Sequence, residues 1–178
     1  MSDRFRNTAQ PDRDWWETLW SDPERVVERL GDGDDDRAVD VCAGDGLFTL
    51  ALAERTDEAV YAVDLDTDHL SALEGSAEAA GLSVQTVNAD ARDLDNALPK
   101  PVEFALLGNT LHGIADPTRF AETVADALTA DGRFAVVNWR DRPRSETTVL
   151  GEERGPPTDL RMAAEETVDA VGAAGFEL

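Results

Sequence analysis

The hydrophobic positions of this chain follow two alternating patterns. Short apolar runs, which are typical of buried parallel strands, alternate with longer stretches in which apolar residues recur every three or four positions, as on one face of a helix. The strand-like runs occupy residues 38–41, 60–64, 82–88, 102–112 and 133–139, the fourth of them passing into a loop. Strands and helices in alternation predict an α/β fold with a doubly wound, mostly parallel sheet.

Capping and turn residues mark where the helices begin and end. Helices are predicted over residues 15–30 as two short helices or one kinked helix, after residue 46 to about 55, from 66 or 67 to 81, from 117 through 128, and around 162–174. Asp116, followed by proline, is a typical helix start. Asp131-Gly132 is predicted to form a turn. The last helix is expected to direct Val168 and Val171 inward.

Four apolar residues near the N-terminus form one face of a predicted helix. They are Trp15, Trp16, Leu19 and Trp20, which recur at helical spacing. We expect this face to dock the helix onto the rest of the protein. Residues 31–36 are acidic and contain glycine, which is typical of a flexible linker. The chain is therefore divided into an N-terminal helical extension with its linker, residues 1–36, and a ligand-binding domain, residues 37–178.

A strand, a glycine turn and a helix follow one another within residues 37–53. Gly44 and Gly46 form the turn, and a Leu/Phe/Ala run with helical spacing comes after them. Glycines allow a backbone to approach a ligand closely, and a helix start offers unpaired N–H groups and the positive end of its dipole. Asp64 ends the next strand, in a position to bind ribose hydroxyls. This arrangement predicts a site for a ligand that carries a phosphate or carboxylate group and a ribose.

The glycine spacing distinguishes between two cofactor classes. Nicotinamide and flavin sites require a third glycine, as G-x-G-x-x-G, and Thr49 stands at that position here. The run Asp40-Val-Cys-Ala-Gly-Asp-Gly46 instead resembles the first motif of class I S-adenosylmethionine-dependent methyltransferases, usually D-x-G-x-G-x-G, with Cys42 in place of the first glycine. The resemblance extends over roughly residues 37–140. It implies a Rossmann-like class I methyltransferase fold, with S-adenosylmethionine as cofactor and S-adenosylhomocysteine as product.

The resemblance also implies roles for residues that follow the strands. Asp40 would hold the glycine turn through backbone N–H groups, Asp64 would bind ribose hydroxyls and Leu65 would pack against adenine. Asp90 and the backbone amide of Ala91 would bind the adenine edge. The implied cofactor-binding residues are Asp40, Cys42, Ala43, Gly44, Gly46, Asp64, Leu65, Asp90, Ala91 and Asn109. The N-terminal tryptophan helix would, as an alternative to docking, close over the pocket as a lid.

The loop after the fourth strand is expected to face the transferred methyl group, because residues just past the carboxyl ends of parallel strands line the ligand crevice. Asn109 and His112 lie in this loop and are the candidate catalytic residues. His112 is either a general base, since imidazole titrates near neutral pH, or a loop residue that packs beside the substrate. The loop lacks the N-P-P-aromatic signature of enzymes that methylate amide nitrogens, and it resembles methyltransferases of small molecules. A small-molecule methyl acceptor is therefore expected.

The resemblance weakens at the C-terminal end. The family normally adds an antiparallel hairpin at the edge of the sheet, and residues 176–178 provide only the beginning of its first strand. This apparently incomplete hairpin keeps a second function open, a non-catalytic module that binds S-adenosylmethionine or S-adenosylhomocysteine, or an interaction module. It also predicts a sheet edge that another subunit of a homo-oligomer could cover.

Residues 140–157 form a long irregular stretch that contains Arg140, Arg142, Arg144 and Arg154. A loop of this length is often functional. The arginines either hold an anionic group of a substrate through bidentate contacts or pair with neighbouring acids. Both interpretations are open from the sequence.

Composition restricts the partners and the environment. The 38 acidic residues against 16 basic ones give a formal net charge of −22, and only Lys100 is a lysine. This charge disfavours nucleic acids and anionic membranes as partners, and the composition resembles proteins of salt-loving archaea. Cys42 is the single cysteine, so no intrachain disulfide is expected. Because no apolar run approaches the roughly 18 residues of a membrane helix, a cytoplasmic protein is expected.

Overall fold

A five-stranded parallel sheet forms the centre of the protein. The computed structural model describes residues 13–31 and 37–178. The strands are β1 Ala38–Val41, β2 Val60–Asp64, β3 Val84–Asn88, β4 Val102–Gly108 and β5 Leu128–Val137. They lie in the order β3-β2-β1-β4-β5, and every neighbouring pair is parallel. The predicted fold class, a doubly wound and mostly parallel α/β sheet, is confirmed.

Helices cover both faces of this sheet. They are α1 Arg13–Leu19, α2 Pro23–Leu30, α3 Leu47–Ala53, α4 Thr67–Ala80, α5 Leu94–Ala97, α6 Pro117–Ala127 and α7 Ala164–Ala173. Asp22, Asp66 and Asp116 cap α2, α4 and α6, since each side chain accepts a hydrogen bond from a backbone N–H in the first turn. These starts agree with the sequence pattern.

Two hydrophobic layers hold the helices against the sheet. On one face, side chains of α2 and α3 such as Val27, Phe48 and Leu52 pack with residues of β1 and β4. On the other face, Leu94 of α5 and Phe120 of α6 pack with residues of β1, β2 and β4. Burial on both faces explains why β1, β2 and β4 read as nearly continuous apolar runs. Val27 is fully buried, so α2 packs as part of the core.

The structure differs from the sequence prediction at several element boundaries. Helix α1 spans Arg13–Leu19, so it includes two residues that precede the predicted start at residue 15. Helix α6 ends at Ala127, and Leu128 opens β5 as the partner of Val102. The next pair in register is Phe104 with Arg133, so the predicted turn at Asp131-Gly132 lies in an irregularity of the strand.

The C-terminal part also departs from the prediction. Val168 is 37% exposed, and the inward orientation predicted for it is wrong, because α7 packs at the periphery and contributes no buried residue. A short antiparallel hairpin, β6 Thr148–Val149 with β7 Glu152–Glu153, forms within the segment predicted to be irregular. It is a separate two-stranded sheet and does not extend the central one.

Two stretches lie outside the described residues. They are residues 1–12 and 32–36. The start of the N-terminal extension and most of the linker predicted at 31–36 therefore lie outside the described residues. Within the part of the chain that the structure describes, no helix is both long enough and apolar enough to cross a membrane.

Gly46, the residue before α3, occupies a position that excludes a side chain. Its φ is +88°, and a Cβ built on it would lie 2.2 Å from Cδ1 of Leu73. Leu73 belongs to α4 and is fully buried, so making room for the Cβ would displace a side chain of the core. The close packing of α4 against the glycine turn therefore requires glycine at position 46.

We expect Gly46→Ala to destabilise the fold by about 2–5 kcal/mol, since the left-handed backbone costs about 1–2 and the overpacking against Leu73 about 1–3. Denaturant unfolding in concentrated KCl measures the difference. Gly75→Ala is the matched control, because Gly75 lies in α4 and a Cβ added to it would meet no atom within 4 Å. It should stabilise the protein by about 0.5–1 kcal/mol through helix propensity. Equal effects of the two substitutions would contradict the packing of Gly46.

Candidate functional site

The carboxyl ends of three strands meet at one edge of the sheet. Val41 at the end of β1 is in register with Val63 of β2 and with Leu107 of β4. The segments that follow these strands are therefore neighbours, although they are up to about 70 residues apart in the sequence. Most residues predicted to bind the cofactor or to act in catalysis lie in these segments.

The turn after β1 has a left-handed backbone at three positions. The φ values are +61° at Cys42, +56° at Gly44 and +88° at Gly46. The Ala43 N–H donates to the carbonyl of Val63 at 3.1 Å, and the Gly46 N–H donates to the carbonyl of Ala43 at 3.0 Å. A left-handed backbone costs any residue with a side chain about 1–2 kcal/mol. Cys42 therefore occupies a position that suits glycine, the residue that the methyltransferase motif usually has there.

The Asp64 carboxylate holds this turn in place. One oxygen, Oδ2, accepts the Gly44 N–H at 2.8 Å, and Oδ1 accepts the Asp66 N–H at 2.9 Å. A carboxylate offers about four acceptor positions, so two are left for hydroxyl groups of a ligand. Asp64 thus links the glycine turn to the end of β2 and still has acceptor capacity.

Asp40 lies beneath the turn and contacts α3. It is 2% exposed, and its Oδ2 accepts the Thr49 hydroxyl at 2.7 Å. Burial raises the pKa of Asp40 to about 7 and the charge of Asp64 adds to the rise, while the hydrogen bonds from Thr49 oppose it. Thr49 is a positioning residue that sequence reasoning missed. Its only signal in the sequence is that a hydroxyl stands where a nicotinamide site would have its third glycine.

The end of β2 presents an apolar side chain to solvent. Leu65, the residue after this strand, is 51% exposed. The Asn88 side-chain amide donates to the carbonyls of Asp64 at 3.1 Å and Leu65 at 3.0 Å and so fixes this short segment. Asn88 was not among the predicted site residues. It is identified only by the register that pairs it with Asp64.

Asp90 and Ala91 follow β3 at the same edge. Asp90 caps a single 3₁₀ turn, residues 91–93, and accepts the backbone N–H and the guanidinium of Arg92. The hydrogen bonds from Arg92 lower the pKa of the Asp90 carboxyl. Asp90 is therefore charged and engaged with Arg92, while Ala91 is 5% exposed.

The loop after β4 holds the two candidate catalytic residues. Asn109 has a left-handed φ of +54°, and its N–H donates to the carbonyl of Val137 at 2.7 Å. His112 lies in a 3₁₀ turn, and its Nδ1 is 3.2 Å from Oδ1 of Asn138. Burial lowers the pKa of His112, the charge of Arg161 lowers it further, and the bond to Asn138 opposes both. The imidazole is therefore held neutral, and Nε2 carries the lone pair when Nδ1 donates to Asn138.

A cavity of about 270 Å³ lies next to the ends of β4 and β5. It is lined by Leu19, Trp20, Asn109, Asn138, Trp139, Arg140, Arg142, Glu146 and Thr147. Its walls come from the end of α1, from the ends of these two strands and from the segment after β5. The cavity thus joins the predicted catalytic loop to the N-terminal tryptophan helix.

The N-terminal helix is attached to both parts of the site. Trp15 is buried and packs against Trp139 with ring centroids 6.1 Å apart. Arg13 donates to the carbonyl of Asp45 in the glycine turn at 3.0 Å. The expectation that the tryptophans dock the helix is consistent with these contacts, and the same helix also forms a wall of the cavity.

The arginines of the segment after β5 have no acidic partner. Among the described residues, no carboxylate lies within 4.0 Å of the charged nitrogens of Arg140, Arg142, Arg144 or Arg154. Arg140 and Arg142 line the cavity. Of the two interpretations of this segment, pairing with neighbouring acids is not observed in the described part of the chain.

Solved structures with a similar fold are numerous. A SAM-dependent methyltransferase from Aquifex aeolicus superposes with a TM-score of 0.75 at 22% identity, over 93% of this chain and 84% of that one. A putative methyltransferase from Bacillus halodurans gives a TM-score of 0.69 at 19% identity, over 89% and 70%. The [4+2]-cyclase SpnF gives 0.67 at 24% identity, over 86% of this chain but 58% of that one. These likenesses show the fold.

Comparison of sequences identifies the family, which the structural likenesses do not. No curated protein matches the chain. The family model described as a methyltransferase domain matches residues 38–132, more than half of the chain and the part that contains the glycine turn, Asp64 and the loop of Asn109 and His112. The chain belongs to this methyltransferase domain family.

Proposed function

We propose that the protein transfers a methyl group to a small-molecule acceptor bound in the cavity. The cofactor is S-adenosylmethionine. The observation that carries the proposal is the junction at the carboxyl edge of the sheet, where the turn held by Asp64 lies beside the loop of Asn109 and His112 and this loop opens into the cavity. A cofactor site and an acceptor site are thus adjacent.

The residues at the edge fit the cofactor. The turn provides two glycines with left-handed backbone, which leaves room for a ligand close to the chain. Asp64 keeps two acceptor positions for ribose hydroxyls, and the exposed Leu65 offers an apolar surface for adenine. The amide of Ala91 is proposed for the adenine edge, with Asp90 available there only when Arg92 releases it.

When bound, S-adenosylmethionine supplies a methyl group that is already activated by the positive sulfur. The protein then has to bind the acceptor in line with that methyl group and exclude water. We assign this positioning to the cavity walls and to Asn109. We assign proton removal, for an acceptor that carries a proton, to Nε2 of His112, because the imidazole is neutral and Asn138 fixes its orientation.

The cavity favours a small acceptor with an apolar body. Its volume is about 270 Å³, and Leu19, Trp20 and Trp139 supply apolar wall. Pockets for small molecules have this character, a largely apolar lining with few polar groups. The net charge of −22 and the single lysine favour a protein adapted to concentrated salt, so measurements belong in molar KCl.

The fold by itself does not establish turnover. SpnF, one of the similar structures, is named as a [4+2]-cyclase, so the same architecture accommodates another reaction. The alternative function, a module that binds the cofactor without methyl transfer, predicts tight cofactor binding and no methylated product with any acceptor. Binding and turnover are therefore tested separately.

We expect Asp64→Ala to weaken the binding of S-adenosylhomocysteine by about 2–4 kcal/mol, at least 30-fold, because two hydrogen bonds to a charged acceptor are lost. Calorimetric titration of the wild type and the variant measures this change. Asp64→Asn keeps one acceptor oxygen and should lose less. NADH should not bind to any of these proteins.

Asp126→Ala is the control for this titration. It removes the same charge from the last turn of α6, which lies at the opposite edge of the sheet, and should leave the affinity unchanged. Failure of folded wild-type protein to bind either sulfur cofactor would refute the proposed function. Binding that is unaffected by Asp64→Ala would place the cofactor elsewhere.

We expect His112 to titrate below its ordinary pKa of 6.5, because burial and the charge of Arg161 disfavour the protonated ring. NMR titration of the imidazole resonances, assigned with His112→Gln, measures the midpoint. In Asn138→Ala the midpoint should fall further, since the bond that raises the pKa is lost. The proposed base is then active at neutral pH and is lost as the pH falls through the lowered value. A midpoint at or above 6.5 would contradict this assignment.

A further inference from the structure

The segment that covers the cavity has a charge unlike that of the rest of the chain. Residues 140–161 contain five arginines and five acids, whereas the whole chain has a net charge of −22. The arginines are Arg140, Arg142, Arg144, Arg154 and Arg161. None of them has a carboxylate within 4.0 Å in the described part of the chain. In so acidic a protein, this concentration of arginines without acidic partners needs an explanation.

Arg161 is buried without a counter-charge. It is 6% exposed, and its guanidinium lies 5.3 Å above the ring of Trp139. Its Nη2 donates to the Thr147 hydroxyl at 2.7 Å and to the carbonyl of Arg154 at 3.0 Å, and its Nε donates to the carbonyl of Pro156 at 3.2 Å. Its Nη1 is buried without a hydrogen-bond partner. Removing a charge from water is costly unless another charge compensates it.

This buried cation lies directly behind the cavity. Thr147 and Trp139, the two side chains that Arg161 contacts, both line the cavity. The side-chain nitrogen of Asn138, another lining residue, is also buried without a partner. The lining itself contains Arg140 and Arg142 against one acid, Glu146. Two arginines against one acid therefore line the cavity, and a third arginine, Arg161, contacts two of the lining side chains.

We propose that the methyl acceptor carries an anionic group, a carboxylate or a phosphate on an apolar body, which Arg140 and Arg142 hold. This inference rests on the proposed function. The apolar body lies against Leu19, Trp20 and Trp139, and the anionic end faces the two arginines. Arg161 does not contact the acceptor, because its unpaired nitrogen Nη1 is buried. It contributes through the electrostatic field of its charge and by holding the segment after β5 in place.

The anionic group also explains the arrangement of the segment. Arg140 and Arg142 are exposed and have no acidic partner among the described residues that would fix them, so a ligand can recruit them without breaking an ion pair. The segment after β5 is thus the specificity element, and the glycine turn serves the cofactor.

The test uses benzoate, phenyl phosphate and the neutral isostere benzamide as probes. Each is titrated calorimetrically into protein saturated with S-adenosylhomocysteine, at the lowest KCl concentration that keeps the protein folded, because the Debye length is only about 3 Å at 1 M salt. At least one of the two anions should bind ten-fold or more tightly than benzamide. Comparing benzoate with phenyl phosphate identifies which anionic group is preferred.

Arg142→Gln and Arg140→Gln should each reduce this preference at least several-fold, and the double variant should abolish it. Arg119→Gln removes the same charge from an exposed position on α6, where Arg119 pairs with Glu122, and should have no effect. Unchanged binding of S-adenosylhomocysteine shows that each variant is folded. Equal binding of acid and amide, no binding of any probe, or a preference that survives in the double variant would overturn the proposal. Failure to bind S-adenosylhomocysteine would instead overturn the proposed function on which it rests.

Discussion

The contact between the Asp64 carboxylate and the Gly44 N–H is the constraint on which the site depends. It joins a turn that follows β1 to the end of the neighbouring strand β2, at 2.8 Å. The turn can take its left-handed form because glycine stands at two of its three left-handed positions and because Gly46 leaves room for Leu73. Asp40, beneath the turn, has a pKa raised to about 7 by burial and by Asp64.

The two halves of the site are built differently. The cofactor half consists of strand ends and a turn fixed by backbone hydrogen bonds, so its geometry is set by the sheet. The proposed acceptor half consists of the end of α1, the loop of His112 and the arginine segment, which are held by side-chain contacts. Arg13 donates to the carbonyl of Asp45, Trp15 packs against Trp139, and Arg161 donates to the carbonyl of Arg154. Loops carried on a rigid scaffold are where specificity varies among proteins of one fold. Under the proposed function, the arginine segment determines the acceptor and the glycine turn binds the cofactor.

The sequence predicted those features that depend on residues close together in the chain, namely the strands and the helix starts. Four of the strands were identified from apolar runs and residues 82–88 from their alternation. The starts of α4 and α6 were identified because Asp66 and Asp116 are typical capping residues. Contacts between distant segments could not be predicted in this way. The bonds of Asp40 to Thr49, of Asn88 to Leu65 and of Arg161 to Thr147 depend on which strand ends and loops become neighbours in the sheet. The irregularity in β5 coincides with the Asp131-Gly132 turn signal, but that it lies inside a paired strand depends on the register with β4.

The most direct test of the account is to map where the cofactor binds. Backbone amide resonances of ¹⁵N-labelled protein are recorded during titration with S-adenosylhomocysteine in molar KCl. The account predicts the largest changes at the amides of Gly44, Gly46, Leu65 and Ala91, which lie along the carboxyl edge of the sheet, and small changes at Gly81 and Ala127 at the opposite edge. Large changes confined to other segments, with the glycine turn unaffected, would contradict it.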